Sequence, residues 1–328
     1  MAEKIQNTIL KEFDKYYYQN LIWSLTVSKD FRNEISAYKR ILDCSLKILL
    51  DHKKNSKLTE IGNDGHLMVQ IILLKSMSLI KLANGLKYRN DLNNTTLNDI
   101  YDPFGMGNLV RSQYEAFCNF NNIYIQSINQ DEIELKYYLW VLGGLNSRQR
   151  FTAKSPKAIE QKKKEAEIIE QHLDLLHKNS CYNSLTERSK SNLERCIGRR
   201  EWQIKVIGDN AFKIPWHEMF SNAGVKHYDE QYNYLSTLSH PSNLSVIQFK
   251  QMFEGSKQEE RSDYQSMRVM LTTSKTIMSF LLKDYITYFK LHTQFDQLPL
   301  IDQMLVNVYN RNFRGDEYLL NNTLEKLN

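Results

Sequence analysis

The stretch MRVMLTTSKTIMSFLLKDYITYF, residues 267–289, decides the fold class. Its apolar side chains recur at steps of three and four residues, which is the period of an α-helix with one side in a core. The pattern extends in both directions and predicts one core helix from Glu259 to Phe295. No other pattern in the chain is as long without a break, so we expect the remaining elements to pack around it.

Helical periodicity also dominates the rest of the chain. Residues 35–50 show the same period, and residues 66–88 are apolar on nearly all sides, as in a central helix. Twelve glycines and five prolines are few for 328 residues, which favours long helices with short connections. No stretch alternates convincingly between apolar and polar residues. We therefore predict an all-α fold, a single multi-helix bundle that forms one domain over residues 1–328.

A charged segment in the middle of the chain predicts an elaboration of this bundle. Ser155-Pro156 is a helix-start signal, and the residues after it carry a narrow apolar stripe on an otherwise charged helix. A second polar helix is predicted from Leu185 to Val206. Together they predict a protruding charged helical hairpin over residues 155–206. Such stripes usually contact another helix, so packing or assembly into a homo-oligomer is the expected purpose.

The net charge of +5 is modest but unevenly distributed. Residues 148–205 contain fourteen lysines and arginines and eight acidic residues, whereas the rest of the chain is about neutral. A localised basic surplus suits an acidic partner, so RNA or a protein is expected to bind through residues 148–205. A solvated pair of charged helices would explain the same surplus. Both interpretations stay open.

Location and cofactor chemistry are constrained by what the sequence contains. Four widely spaced cysteines without C-x-x-C spacing, and an N-terminus without an apolar leader, predict reduced thiols in a cytoplasmic protein. The most apolar stretch, residues 67–86, is interrupted by one glutamine and two lysines, which predicts a buried helix and no membrane span. The sequence has no G-x-x-x-x-G-K-[ST], G-x-G-x-x-G or H-E-x-x-H, so neither a cofactor nor a metal is expected.

The first of two polar clusters lies within an amphipathic helical segment. In Arg111-Ser112-x-x-Glu115, the arginine and glutamate are one turn apart on the same side of a helix, at the edge of its apolar face. On a surface, such a pair would stabilise the helix by only about 0.2–0.5 kcal/mol. Partly buried pairs of this kind also orient neighbouring helices, so a structural role competes with a functional one.

The second cluster lies more than a hundred residues later. Tyr232, Ser236 and His240 follow one another at intervals of four residues and share one side of a helix. Pro241 disfavours the helical conformation at His240, so this imidazole is expected at a helix C-terminus. The helix dipole favours its charged form there, and His240 is expected to titrate near neutrality, as a general acid or base does. A capping role for the same histidine stays open.

In order and separation, these motifs resemble a broad group of bacterial all-helical proteins classed as a domain of unknown function. Members of this group share an R-S-x-x-E helix and a Y-x-x-L-S-x-x-x-H helix. The resemblance extends from Ile35 to Tyr288, with residues 154–205 as a variable elaboration. It implies an all-α fold and a shared site without established chemistry. The residues implied for this site are Arg111, Glu115, Tyr232, Ser236 and His240.

Such proteins invite comparison with the helical HEPN-type ribonucleases of toxin and antiphage systems. Those enzymes carry an R-x(4–6)-H motif near a helix end, and no such spacing precedes any of the eight histidines here. An arginine and a histidine from separate helices could do similar work. His240 would take the proton from a ribose 2′-hydroxyl, and Arg111 would stabilise charge on the phosphate. Glu115 would orient one of them.

Two classes of function therefore stay open. The first is a metal-independent ribonuclease or phosphodiesterase in phage defence or a toxin system, with His240, Arg111 and Glu115 as catalytic residues and Tyr232 and Ser236 in support. The second is a non-catalytic helical interaction module in which the same cluster is a structural polar network. An enzyme predicts the imidazole beside Arg111 or Glu115 and open to solvent. A structural network predicts sealed side chains that satisfy one another.

Overall fold

The computed structural model of the protein describes residues 15–26, 31–225, 229–239, 242–252, 261–315 and 318. Helices dominate these residues, and the strands among them form two short antiparallel hairpins. The all-α prediction is therefore confirmed. The hairpins are small additions to a helical architecture.

The first half of the chain contains α1 (residues 15–26), α2 (Phe31–Asn55), α3 (Glu60–Leu82), β1 (Leu86–Arg89), β2 (Thr96–Ile100), α4 (Pro103–Phe120), a π-helical turn (Asn121–Ile125) and α5 (Gln130–Gln149). The second half contains α6 (Pro156–Lys178), α7 (Ser180–Ser184), α8 (Glu187–Arg199), β3 (Ile204–Ile207), β4 (Asn210–Lys213), α9 (Trp216–Asn222), α10 (Asp229–Ser239), α11 (Asn243–Gln251), α12 (Ser262–Phe289), α13 (His292–Asp296) and α14 (Leu300–Phe313).

The chain divides into two compact units. The first unit comprises residues 1–58, 66–117 and 224–328, and the second comprises residues 59–65 and 118–223. Both polar clusters predicted from the sequence fall in the first unit, whereas the predicted hairpin, residues 155–206, falls in the second. That residues 1–328 act as one domain stays a prediction.

The core of the first unit is built around α12, as the helical period predicts. Helices α2 and α14 pack against α12. The side chains that point into this core are fully buried and include Met267, Met270, Leu271, Ile277, Met278 and Leu281. Polar contacts hold the same helices in register. The Asn310 amide of α14 donates to the Ser279 carbonyl of α12 at 3.0 Å, and Tyr38 of α2 hydrogen-bonds with Ser274.

The prediction that the core helix continues to Phe295 is wrong. Helix α12 ends at Phe289 because Lys290 adopts the left-handed conformation, with φ 57°, and caps the helix. The short helix α13 follows separately. At the other end, residues 259 and 260 lie outside the described residues.

In the second unit, the charged helix α6 packs along α5. Ser155 caps its N-terminus as predicted and accepts a hydrogen bond from the Ala158 N–H at 3.2 Å. The buried Glu165 of α6 pairs with Arg148 of α5. An ion pair therefore lies within the contact between these helices, beside the apolar stripe that the sequence predicts.

The second helix of the predicted hairpin is shorter than expected. Helix α8 ends at Arg199 because Arg200 takes a left-handed φ of 62° and closes the helix as its C-cap. The predicted extension to Val206 is wrong, because Ile204–Ile207 pairs with Asn210–Lys213 as the hairpin β3–β4. Residues 86–100 form the other hairpin, so the helix predicted over residues 66–88 ends earlier, at Leu82. Strand β1 does alternate between apolar and polar residues, but only over four residues, the shortest run that indicates a strand.

Among the described residues, α3 is long and apolar enough to cross a membrane by length and composition alone. Half of its most apolar window is buried inside the structure. The core helix of a soluble protein has the same properties, so a single helix of this kind is weak support for a membrane span. The other half of that window is at least partly exposed, and Leu67, Ile71 and Leu74 are exposed, so α3 is only in part the buried helix that the sequence predicts.

Candidate functional site

The predicted site depends on a close crossing of α4 and α10 in the first unit. A Cβ atom built on Gly107 of α4 would lie 2.9 Å from Cδ1 and 3.0 Å from Cβ of Leu238 on α10. Real side chains do not approach so closely, so this crossing requires glycine. Arg111 follows Gly107 by one helical turn on the same face, which places it toward α10.

Arg111, Glu115 and Tyr232 form a closed triangle of hydrogen bonds at this crossing. The Arg111 Nε donates to Glu115 Oε1 at 3.1 Å, and its Nη2 donates to the Tyr232 hydroxyl oxygen at 3.1 Å. The Tyr232 hydroxyl in turn donates to Glu115 Oε1 at 3.2 Å. The Arg111 Cζ also lies 5.2 Å from the centre of the Tyr232 ring, within cation–π range.

The three side chains are partly buried, and their environment favours the ordinary protonation states of the arginine and the tyrosine. The Arg111 side chain is 24% exposed and that of Glu115 is 31% exposed. Burial acts to lower the pKa of Arg111, but the hydrogen bond to Tyr232 and the nearby Glu115 outweigh it, so this pKa is raised. Burial raises the pKa of Tyr232. At neutral pH, Arg111 is therefore charged and the Tyr232 hydroxyl keeps its proton.

Ser236, another predicted site residue, takes no part in the triangle. The Ser236 hydroxyl donates to the Tyr232 carbonyl oxygen at 2.8 Å, a bond within its own helix. His240 and Pro241 lie outside the described residues. Beyond them, the Ser242 side chain caps the N-terminus of α11 by accepting from the Ser245 N–H. The structure thus assembles Arg111, Glu115 and Tyr232 as expected and gives Ser236 a local role.

A buried polar network next to this site was not predicted. Gln113 of α4 is fully buried and donates from Nε2 to the Ser76 hydroxyl at 2.8 Å and to the Ile72 carbonyl at 3.3 Å. Its Oε1 accepts from the Ser274 hydroxyl, which also hydrogen-bonds with Tyr38. These contacts join α2, α3, α4 and α12. A glutamine on the apolar face of a helix is the signal that would have indicated such a network.

A second unpredicted cluster consists of two histidines that share one phenol. The Nδ1 atoms of His52 and His66 lie 2.6 and 2.7 Å from the Tyr285 hydroxyl. The phenol has one proton, so one ring accepts it and the other ring donates. Burial lowers the pKa of both histidines, and for His66 the neighbouring His52 adds to the effect. Both imidazoles are therefore neutral in the folded protein near pH 7.

In the described part of the chain, no group of three or more His, Cys, Asp or Glu side chains could hold a metal ion. His172 and His177, which lie five residues apart in the charged helix, instead contact the Ile168 carbonyl oxygen and the Glu194 carboxylate. Each of these imidazoles therefore has a protein partner of its own.

Comparison of the chain with protein-family models, with curated proteins and with solved structures gives no significant match. The similarity of its motifs to the bacterial helical group therefore stays a prediction. Any function has to be inferred from the geometry of the described residues.

Proposed function

We propose that this protein is a non-catalytic helical interaction module, in which Arg111, Glu115 and Tyr232 form a polar network that holds α4 against α10. The closed triangle of hydrogen bonds supports this proposal. The charge of Arg111 is balanced by a carboxylate at 3.1 Å, which leaves little net positive charge to attract a phosphate. The Tyr232 hydroxyl bonds with both partners and is not poised to exchange its proton.

The energetics of the triangle suit a structural role. A net gain of about 0.5–1.5 kcal/mol is typical for one hydrogen bond, and a cation–π contact adds about 0.5–1 kcal/mol at an exposed site. Two of the three hydrogen bonds connect different helices. The network therefore favours one relative placement of α4 and α10 over the alternatives, which is what a partly buried polar cluster does when it fixes helix register.

In this proposal, the partner binds to the basic part of the chain, residues 148–205. The protein acts in the cytoplasm. Most lysines and arginines of this region are exposed in the second unit. Self-association of the chain is compatible with such a role. A module of this kind changes no covalent bond, so its binding and its stability are the properties to measure.

The test compares purified wild-type protein with Arg111→Met and with Lys47→Met as a matched control. Lys47 also forms an i,i+4 pair, with Asp51, but both side chains are about half exposed. We expect no RNA cleavage by any of the three proteins, and a lower melting temperature for Arg111→Met alone. RNA cleavage that Arg111→Met loses, while it keeps the wild-type melting temperature, would show that the cluster is catalytic.

One observation favours a second candidate, a metal-independent ribonuclease or phosphodiesterase in phage defence or a toxin system. Arg111 stays about one quarter exposed, and the helix that brings Tyr232 to it also carries Ser236. In this candidate His240 takes the proton of a ribose 2′-hydroxyl while Arg111 binds the phosphate. It predicts that His240→Ala removes RNA cleavage and cellular toxicity, and that a 2′-deoxy substrate resists the wild-type protein. RNA cleavage that persists in a folded His240→Ala protein would contradict it.

A further inference from the structure

Helix α8 in the second unit carries a stripe of arginines on one face. Arg188, Arg195 and Arg199 are separated by seven and four residues, so they lie within about 40° of one another around the helix axis. Along the axis, they are about 10 Å and about 6 Å apart. All three side chains are exposed. The stripe therefore presents three guanidinium groups in a row to solvent.

These arginines lack acidic partners among the described side chains. No carboxylate in that part of the chain lies within ion-pair distance of Arg188, Arg195 or Arg199, although several other charges on α6 and α8 are paired. Arg195 instead donates to the side-chain oxygen of Asn192, one turn earlier on the same helix, which orients its guanidinium. The charge of the stripe is therefore available to an external anion.

The stability of α8 does not explain the stripe. Arg199 lies in the last turn, where the helix dipole favours a cation. Arg188 is the second residue of α8, however, and a cation at that end opposes the dipole. An arginine at this position therefore costs helix stability, which indicates that its charge serves something other than the helix.

An exposed aromatic ring lies beside the stripe. The cleft between α8 and β4 has a volume of about 250 Å³ and is lined by Arg195, Arg199 and Phe212, among others. The Phe212 ring on β4 is 51% exposed. Lys213 and Glu201 also line the cleft, and they pair with each other at 2.6 Å, so the acid does not neutralise the arginines.

Given the interaction role proposed above, we infer that α8 and β4 bind single-stranded nucleic acid. Guanidinium groups bind phosphates through paired hydrogen bonds, and a row of them follows a sugar-phosphate backbone. An exposed aromatic ring beside such a row stacks on an unpaired base, as in other single-strand binders. The bases of a duplex are stacked on one another and do not stack on Phe212, and Asp and Glu side chains have no flat ring that could do so.

The experiment uses the full-length protein and a fluorescein-labelled RNA of about 12 nucleotides with a mixed sequence, followed by fluorescence anisotropy. The test variant combines Arg188→Gln, Arg195→Gln and Arg199→Gln. The matched control combines Lys39→Gln, Lys81→Gln and Lys87→Gln, which removes the same charge from exposed positions outside residues 148–205. We expect the arginine variant to bind at least about ten-fold more weakly and the lysine variant to stay within about two-fold of the wild type.

A salt titration between about 50 and 200 mM identifies the phosphate contacts. Three contacts to a single strand predict a slope of about −2 for log K against log salt, and the arginine variant should lose most of this slope. Phe212→Ser should weaken binding by about ten-fold through lost stacking, whereas Ile207→Ser, also exposed on the same hairpin, should not. Circular dichroism checks folding, and Arg195→Gln alone replaces the triple variant if that variant fails to fold.

Three outcomes would overturn the inference. The first is an equal loss of RNA affinity in the arginine and lysine variants, and the second is binding of a duplex as tight as that of the single strand. The third is displacement of the RNA by an acidic peptide of the same net charge. A denaturing gel of the same samples shows whether the RNA is cleaved, and so tests the proposed function independently of RNA binding. Intact RNA is expected, and cleaved RNA would contradict the non-catalytic role while leaving the binding surface in place.

Discussion

Gly107 of α4 lies directly against Leu238 of α10, with no space for a side chain between them. A Cβ atom at position 107 would be 2.9 Å from the Leu238 Cδ1 and 3.0 Å from its Cβ. Because Arg111 is one turn beyond Gly107, this contact sets how closely the guanidinium approaches Tyr232. The polar triangle therefore depends on a residue that takes no part in it.

Substitution of Gly107 by alanine should destabilise the protein. The added methyl group must displace Leu238 or separate the helices, and overpacking of this kind costs about 1–3 kcal/mol. Gly144 of α5 is the matched control, because no heavy atom lies within 4 Å of a Cβ there. Gly144→Ala should stabilise its helix by up to about 1 kcal/mol. Urea unfolding measures both changes, and shifts of the same sign would contradict the close-contact account.

The hydrogen-bond triangle should appear as an energetic coupling between Glu115 and Tyr232. In a double-mutant cycle of Glu115→Gln and Tyr232→Phe, we expect a coupling free energy of at least about 0.5 kcal/mol, because the two residues share one network. The exposed pair of Lys47 and Asp51 provides a control cycle, with at most about 0.5 kcal/mol expected. Additive effects at Glu115 and Tyr232 would mean that the triangle does not form in solution.

Features that depend on the spacing of residues along a single helix can be predicted from the sequence. The buried stripe of α12 and the Arg111–Glu115 pair both follow from helical spacing. Helix ends without glycine are harder to predict. Arg200 and Lys290 both take the left-handed conformation that closes a helix, although glycine is the usual residue there. Nothing in the apolar period marks either position, so α8 and α12 were predicted to be too long.

Contacts between helices that are distant in the sequence also cannot be predicted from the sequence pattern. The hydroxyl of Tyr285 meets His66, which lies 219 residues earlier, and Gln113 meets Ser274 across 161 residues. The helical pattern indicates only that each of these residues lies on an inward-facing side of its helix. The identity of its partner depends on tertiary packing. Arg111 and Tyr232 were expected together only because their motifs resemble those of a known group.

The two histidines that share Tyr285 should make the protein less stable in acid. Burial holds the pKa of His52 and His66 below the ordinary value of 6.5. The unfolded chain then binds protons that the folded protein does not, so the free energy of unfolding falls as pH drops below about 6.5. The charge of Lys53 acts in the same direction on both rings.

Urea titrations above and below pH 6.5 test this dependence. The double variant His52→Asn, His66→Asn should be less stable than the wild type at about pH 7.5 but should lose less stability on acidification. His292→Asn, at an exposed position in the same unit, is the control and should keep the wild-type dependence. An unchanged acid sensitivity in the double variant would rule out His52 and His66 as its source.

Lys275 of α12 should be a net cost to stability. Its side chain is almost fully buried, and its ammonium lies 5.4 Å from the centre of the Tyr309 ring. Burial lowers the pKa of Lys275 to about 8, and Arg268 adds to the effect while Glu34 opposes it. Because the ordinary pKa is about 10.4, the folded protein holds this proton less tightly than the unfolded chain does.

Lys275→Met should therefore raise the free energy of unfolding at pH 7 by about 2–3 kcal/mol, because a buried charge is replaced by an apolar chain of similar length. In the wild type, the Lys275 contribution makes stability rise between about pH 8 and pH 10, and the variant should lack this rise. Lys81→Met, at an exposed position on α3, should change stability by less than about 0.5 kcal/mol. Chemical unfolding across this pH range provides the measurement. A Lys275→Met protein that is less stable than the wild type at pH 7 would show that the ammonium makes favourable contacts that outweigh its desolvation.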